Sequence, residues 1–186
     1  MLKRLKQWVQ GEAGAADAAG QPGAEVQVLM VCMGNICRSP LAEGVLRAKL
    51  AEAGLQQRVT VDSAGTHGYH THEPPDPRAI RLAAVRGYDI ARQRARPVEP
   101  EDFARFHWML AMDQANLEWL NKRAPPDGAP RIELLLSHAR QAVQPQEVPD
   151  PYYGPDAGFE QVLNLVEDAC AGFVLKIRAE LANNLD

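Results

Sequence analysis

Cys32 and Arg38 stand with five residues between them, in Cys32-Met33-Gly34-Asn35-Ile36-Cys37-Arg38-Ser39-Pro40. A thiol and a guanidinium at that spacing can do phosphoryl chemistry. The intervening residues suffice for the backbone to curl into a ring whose N–H groups face a phosphate-sized anion, with a helix N-terminus behind it. Such a ring favours the thiolate, the nucleophilic form of cysteine. Arg38 can fork onto two phosphate oxygens, which a lysine in its place could not do. Ser39 is placed to cap the helix and to offer its hydroxyl to the sulfur, and Pro40 suits the first helical position. A buried cysteine ending a core strand would account for Cys32 alone, but it would leave Gly34, Asn35, Arg38 and Ser39 without a reason.

A second element lies far down the chain, in Val148-Pro149-Asp150-Pro151-Tyr152-Tyr153-Gly154-Pro155-Asp156. An acid between two prolines is by itself a turn former. Set opposite a thiolate that attacks phosphorus, it becomes the group that protonates the leaving oxygen.

With these stand Asp62-Ser63-Ala64-Gly65-Thr66, Glu73-Pro74-Pro75-Asp76-Pro77-Arg78-Ala79 and Met112-Asp113. In this order, over residues 25–186, they resemble the low-molecular-weight protein tyrosine phosphatases. The resemblance implies a four-stranded parallel sheet with the phosphate loop at its carboxyl end, Cys32 as nucleophile, Arg38 as phosphate clamp and Asp150 as general acid. Met33, Gly34, Asn35, Ile36, Cys37 and Ser39 complete the cradle. The loop of residues 67–72 walls the cleft, where Tyr69 and Tyr152, with His70 and Tyr153 nearby, could sandwich an aryl ring. Ser63 is expected to hydrogen-bond Asn35 and hold it in a left-handed conformation, with Asp62 either supporting that corner or merely ending a strand. Many relatives carry a histidine near Gln93, so a hydrogen-bond network around it does not carry over.

The elements that must position these groups follow from the hydrophobic pattern. Val26 to Val31 is an apolar strand. The helix after Ser39 buries Leu41, Val45, Leu46 and Leu50, with Glu43 and Arg47 paired on its surface. Val59-Thr60-Val61, Phe106 to Ala111 and Ile132 to Leu136 read as further strands. A helix starts at Asp76-Pro77 and stops at Gly87, another is capped by Asp113, and the last runs from near Phe159. This alternation predicts one α/β domain over 25–186, a doubly wound four-stranded parallel sheet with helices on both faces and the phosphate loop after the first strand.

Composition agrees: 186 residues, 46% hydrophobic and 24% charged, make one ordinary core. A net charge of −4 speaks against general nucleic-acid binding. Three cysteines form no disulfide framework and suit a reducing cytoplasm. Residues 1–24 read as a flexible extension, in which Leu2, Leu5, Trp8 and Val9 fall at helical spacing. A solvated tail is favoured there over a membrane-touching helix.

Cys37 reads equally as a small packing residue or as a thiol that traps oxidised Cys32, whereas Cys170 falls on the core stripe of the last helix. His67, His70 and His72 lack the cysteine pair or helical spacing of a metal site, so no metal or cofactor is expected. Arg78, Arg81, Arg86, Arg92, Arg94 and Arg96 read mostly as solvated, or else as a patch for an acidic protein.

The expected reaction is hydrolysis of protein phosphotyrosine through a cysteinyl-phosphate, and the partner a phosphotyrosine-bearing protein, a tyrosine kinase among the candidates. An arsenate reductase would need further relay cysteines. A protein-arginine phosphatase of this fold typically has Thr where Ile36 stands. A non-catalytic phosphoprotein-binding module would keep the cradle and lose Asp150.

Overall fold

The computed structural model describes residues 24–183, so the extension read over residues 1–24 lies, but for its last residue, outside the described residues. Four strands form one sheet: β1 (Val26–Cys32), β2 (Val59–Gly65), β3 (Trp108–Ala111) and β4 (Arg131–Leu134). Their order is β2-β1-β3-β4 and every pairing is parallel. Between them run α1 (Arg38–Glu52), α2 (Pro77–Val85), the short α3 (Asp102–Arg105) and α4 (Gln114–Asn121), and α5 (Asp156–Asn183) is the last element among the described residues.

The central strand explains the layering. In β1, Val28, Met30 and Cys32 face one core, shared with Leu41, Val45 and Leu46 of α1 and Phe159, Val166 and Phe173 of α5. Leu29 and Val31 face the other, with Phe103, Phe106, Met109 and Leu120. A strand covered on both faces must be apolar throughout, which is why Val28 to Val31 reads as an unbroken run. The chain leaves β1 towards β2 on one side and returns to β3 on the other. The crevice of a doubly wound sheet opens at such a reversal, above the carboxyl ends of β1 and β3.

Several boundaries differ from those read in the sequence, the second strand running on to Gly65 among them. The third strand starts at Trp108, because Phe106 ends α3 and turns into the second core. The fourth stops at Leu134, and the apolar residues after it form a 3-10 turn (Leu135–His138) that buries Leu135 and Leu136 against the first core. A short apolar run does not distinguish the two conformations. The last helix begins three residues early, at Asp156, whose carboxylate suits the first turn. Ser39 does not cap α1: Cys37 holds that position, and Ser39 and Pro40 lie within the first turn.

Two glycines permit close backbone packing. A Cβ on Gly172 of α5 would stand 1.9 Å from the His138 carbonyl oxygen. One on Gly65 would stand 2.7 Å from the carbonyl of Met33, so the end of β2 rests directly on the loop after β1.

Candidate active site

The loop after β1 closes round a sulfur. Cys32 Sγ lies 3.0 Å from the Ser39 hydroxyl and accepts the Asn35 backbone N–H at 3.3 Å. Asn35 has φ 56°, a left-handed conformation its short amide tolerates. Its side chain is fully engaged: Nδ2 donates to the hydroxyls of Ser39 and Ser63, each at 2.9 Å, and Oδ1 accepts the Arg96 N–H at 3.0 Å. The expected pairing of Asn35 with Ser63 is thus present, within a wider set of bonds. The amides of Met33, Gly34, Ile36 and Cys37 have no acceptor among the described residues. Ile36 and Cys37 are buried, and buried donors without a partner are rare in a folded chain, so with the amides of Met33 and Gly34 at the mouth they make an anion site.

Beneath Ser63 stands a group the sequence placed wrongly. Glu43 was expected on the surface, yet it is 3% exposed, because this part of α1 packs between the sheet and α5. It accepts the Ser63 hydroxyl at 2.5 Å and pairs with Arg47 at 2.9 Å. Burial pushes its carboxyl up to about 7, against the opposing pull of Arg47 and Ser63. A continuous chain of hydrogen bonds therefore runs from Glu43 through Ser63, Asn35 and Ser39 to Cys32.

Arg38 bridges the three loops of the crevice. Its side chain is 3% exposed, and it donates to Asp113 Oδ2 at 2.5 Å, to the Val148 carbonyl at 3.3 Å and to Asp150 Oδ2 at 2.6 Å. Burial opposes its charge, and the neighbouring Cys32, Asp150 and Asp113 outweigh that, so its proton is held more tightly than usual. Asp113 also caps α4 by accepting the Asn116 N–H at 2.7 Å. The cap was legible in the sequence; its grip on Arg38, 75 residues away, was not. Asp150 is half exposed and faces Arg38 across the mouth, its second oxygen taking the Tyr152 N–H.

The rim is aromatic. Tyr152 and Tyr153 meet edge to face, and His70 tilts against Tyr152 with ring centroids 6.4 Å apart. Tyr69 is exposed and stacks on His67, whereas His70 pairs with Glu73 at 2.7 Å. His67 and His70 thus have separate partners, and among the described residues no cluster of His, Cys, Asp or Glu could hold a metal ion. Cys37 turns its side chain into the core, so its backbone is what it can offer an anion, whereas Ile36 packs at the edge of the core and keeps 9% of its surface exposed. Burial pushes the Cys37 thiol up, further than the charges of Asp76, Cys32 and Asp150 beside it. Cys170 is buried in α5 as expected. Gln93 donates to the Pro40 carbonyl at 3.2 Å and so steadies the start of α1.

Three of the six arginines read as mostly solvated are instead drawn into part-buried ion pairs. Arg96 holds Asp62 and Asp102, each at 2.8 Å, which gives Asp62 its supporting place beside Ser63. Arg86 pairs with Glu167 and Arg78 with Asp76, whereas Arg81 meets Asp156 at the surface and Arg92 and Arg94 are exposed, as read.

The arrangement can hold a tetrahedral anion against a sulfur, with a carboxyl on its far side. The model of the low molecular weight phosphotyrosine protein phosphatases matches residues 27–184. The chain belongs to that family. It is 41% identical over 157 residues to the low molecular weight protein-tyrosine-phosphatase of Streptomyces coelicolor, covering 83% of this chain and 95% of that one. Among solved structures, a protein tyrosine phosphatase from Entamoeba histolytica superposes with a TM-score of 0.80 at 36% identity, over 83% of this chain and 98% of that one. A Drosophila arginine phosphatase superposes with a TM-score of 0.75 at 29% identity, over 81% and 96%. Family members are hydrolases of phosphomonoesters, and no helix among the described residues is long and apolar enough to cross a membrane.

Proposed function

We propose that this family member hydrolyses phosphotyrosine in proteins in two steps. The observation that carries the reading is Cys32 Sγ set at the floor of a ring of unpaired amides, with Arg38 joining that ring to Asp150. In the first step the Cys32 sulfur attacks phosphorus, the bond to the tyrosine oxygen breaks, and Asp150 supplies the proton that oxygen takes up. In the second, Asp150 takes a proton from water, whose oxygen displaces the sulfur and leaves as inorganic phosphate. The loop amides and Arg38 hold the charge of the equatorial oxygens throughout. Ser39, within 3.0 Å of the sulfur, steadies the thiolate when it leaves. An arriving phosphate dianion competes for the Arg38 donor that Asp150 now holds, which frees the carboxyl to face the leaving oxygen.

Phosphoarginine is the second reading, favoured by the likeness to the Drosophila arginine phosphatase. Against it stand Ile36, whose apolar side chain offers no hydrogen bond to a guanidinium, and the aromatic rim of His70, Tyr152 and Tyr153. Turnover measured side by side on phosphotyrosine, phosphoarginine and phosphoserine peptides tests the assignment. A preference for phosphotyrosine is expected, and a preference for phosphoarginine overturns it. Acid quench followed by mass spectrometry should find phosphate on Cys32; turnover without it refutes the covalent step.

A further inference from the structure

Apart from the grip of Arg38 on the Asp150 carboxylate, the loop that carries Asp150 has little to hold it. Between Pro149 and Pro155 it forms no helix or strand, and its internal bonds are two short turns, Gly154 N–H to the Pro151 carbonyl and Tyr152 N–H to Asp150. Among the described residues, one side chain from elsewhere donates to the backbone of this stretch. Arg78, in the first turn of α2, donates to the carbonyls of Tyr152 and Gly154, each at 2.9 Å.

The same guanidinium is locked from behind. Asp76 accepts its Nε at 3.0 Å and a terminal nitrogen at 2.8 Å, and the carboxylate also caps α2 through the Arg78 N–H. Phe159, in α5, lies under the guanidinium plane with its centroid 4.6 Å away. Asp76 in turn donates its own N–H to the Ile36 carbonyl, inside the phosphate loop, at 2.7 Å. The chain Ile36, Asp76, Arg78, Tyr152 thus ties the floor of the cradle to the loop opposite it. Planar donors reaching two carbonyls and a carboxylate together are what an arginine supplies and a lysine does not.

We infer that Arg78 is the positioning residue of the acid loop, setting where the Asp150 carboxyl stands relative to a phosphate on the Cys32 loop. The inference rests on Asp150 being the general acid. A general acid works only within hydrogen-bond reach of the leaving oxygen, and a displacement of about 1 Å can cost about a hundredfold in rate. Arg78 touches no reacting atom, so its loss should act only through Asp150.

The test is kcat/KM on a phosphotyrosine peptide, whose leaving group needs a proton, and on 2,4-dinitrophenyl phosphate, whose leaving group does not, for the wild type, Arg78→Ala, Asp150→Asn and the double variant. Arg78→Ala should lose about ten- to a hundredfold on the peptide and less than about threefold on the dinitrophenyl ester. Its inhibition by inorganic phosphate should stay within about twofold of wild type, since the cradle is untouched. In the Asp150→Asn background the Arg78 substitution should cost nothing more on the peptide, because the acid it places is gone. Equal losses on both substrates, or a full further loss in the double variant, overturn the inference. Equal losses in Asp150→Asn alone would instead remove Asp150 as the acid. Should Arg78→Ala fail to fold, Asp76→Asn keeps the N–H to Ile36 and loosens the guanidinium, and the same substrate-dependent loss, smaller in size, is expected; its absence refutes the inference as well.

Discussion

Glu43 makes the stability of this protein depend on pH in an unusual sense. Its carboxyl is raised from an ordinary 4.5 to about 7, first by burial and also by Asp62, against the opposing influence of Arg47, Ser63 and Arg96. Between those two values the folded chain holds a proton that the unfolded chain has released, so stability falls as pH rises. The gap from 4.5 to about 7, at 1.36 kcal/mol per pH unit, corresponds to about 3 kcal/mol at pH 8 relative to pH 4. The side chain is almost wholly buried, so solvent does not screen this away. His138 acts in the opposite sense: burial lowers it, so its contribution grows as pH rises through the ordinary histidine value. The wild-type curve alone therefore mixes the two, and the difference from Glu43→Gln isolates one. Glutamine keeps an acceptor for the Ser63 hydroxyl and cannot ionise. Urea unfolding at half-unit steps from pH 4.5 to 8 should show the variant gaining on the wild type by about 3 kcal/mol across the range, seen thermally as about 6–12 °C for a chain of this size. Parallel curves for the two proteins would refute the reasoning.

Cys32→Ser should lose all measurable turnover yet still bind phosphate or vanadate, as titration calorimetry would show; activity on an aryl phosphate within tenfold of wild type would refute the covalent mechanism. Ile36→Thr should raise the ratio of phosphoarginine to phosphotyrosine turnover, since a hydroxyl at this part of the loop offers a hydrogen bond that Ile36 does not; an unchanged ratio would free Ile36 from any part in selectivity. Peroxide should oxidise Cys32 to a sulfenic acid, which Cys37 then captures as a disulfide with loss of water, so that a dithiol restores activity. In Cys37→Ser recovery should be much less complete, and mass spectrometry joining Cys32 to Cys170 instead would return Cys37 to a packing role.

What the sequence determined by itself was whatever neighbouring residues settle among themselves. The cradle is one continuous segment, so the spacing of Cys32, Asn35, Arg38 and Ser39 was enough to predict a closed ring. The apolar run Val28 to Val31 demanded cover on both faces, and the alternation of strands and helices left a doubly wound sheet as the way to supply it. Tertiary structure decided everything that depends on which distant segments meet. Glu43 looked like half of a surface ion pair because an i, i+4 spacing is silent about what lies over a helix, and the end of β2, twenty residues on, is what sets Ser63 and Asp62 against it. Asp113 was legible as a cap and Arg78 as a solvated charge; the order β2-β1-β3-β4 sets β3 beside β1 and so brings Asp113 to Arg38, while the packing of α2 against α5 brings Arg78 under the acid loop. Charged side chains carry no periodic mark of their long-range partners, because a hydrogen bond needs only a few tenths of an ångström of accuracy at one place and nothing along the chain between.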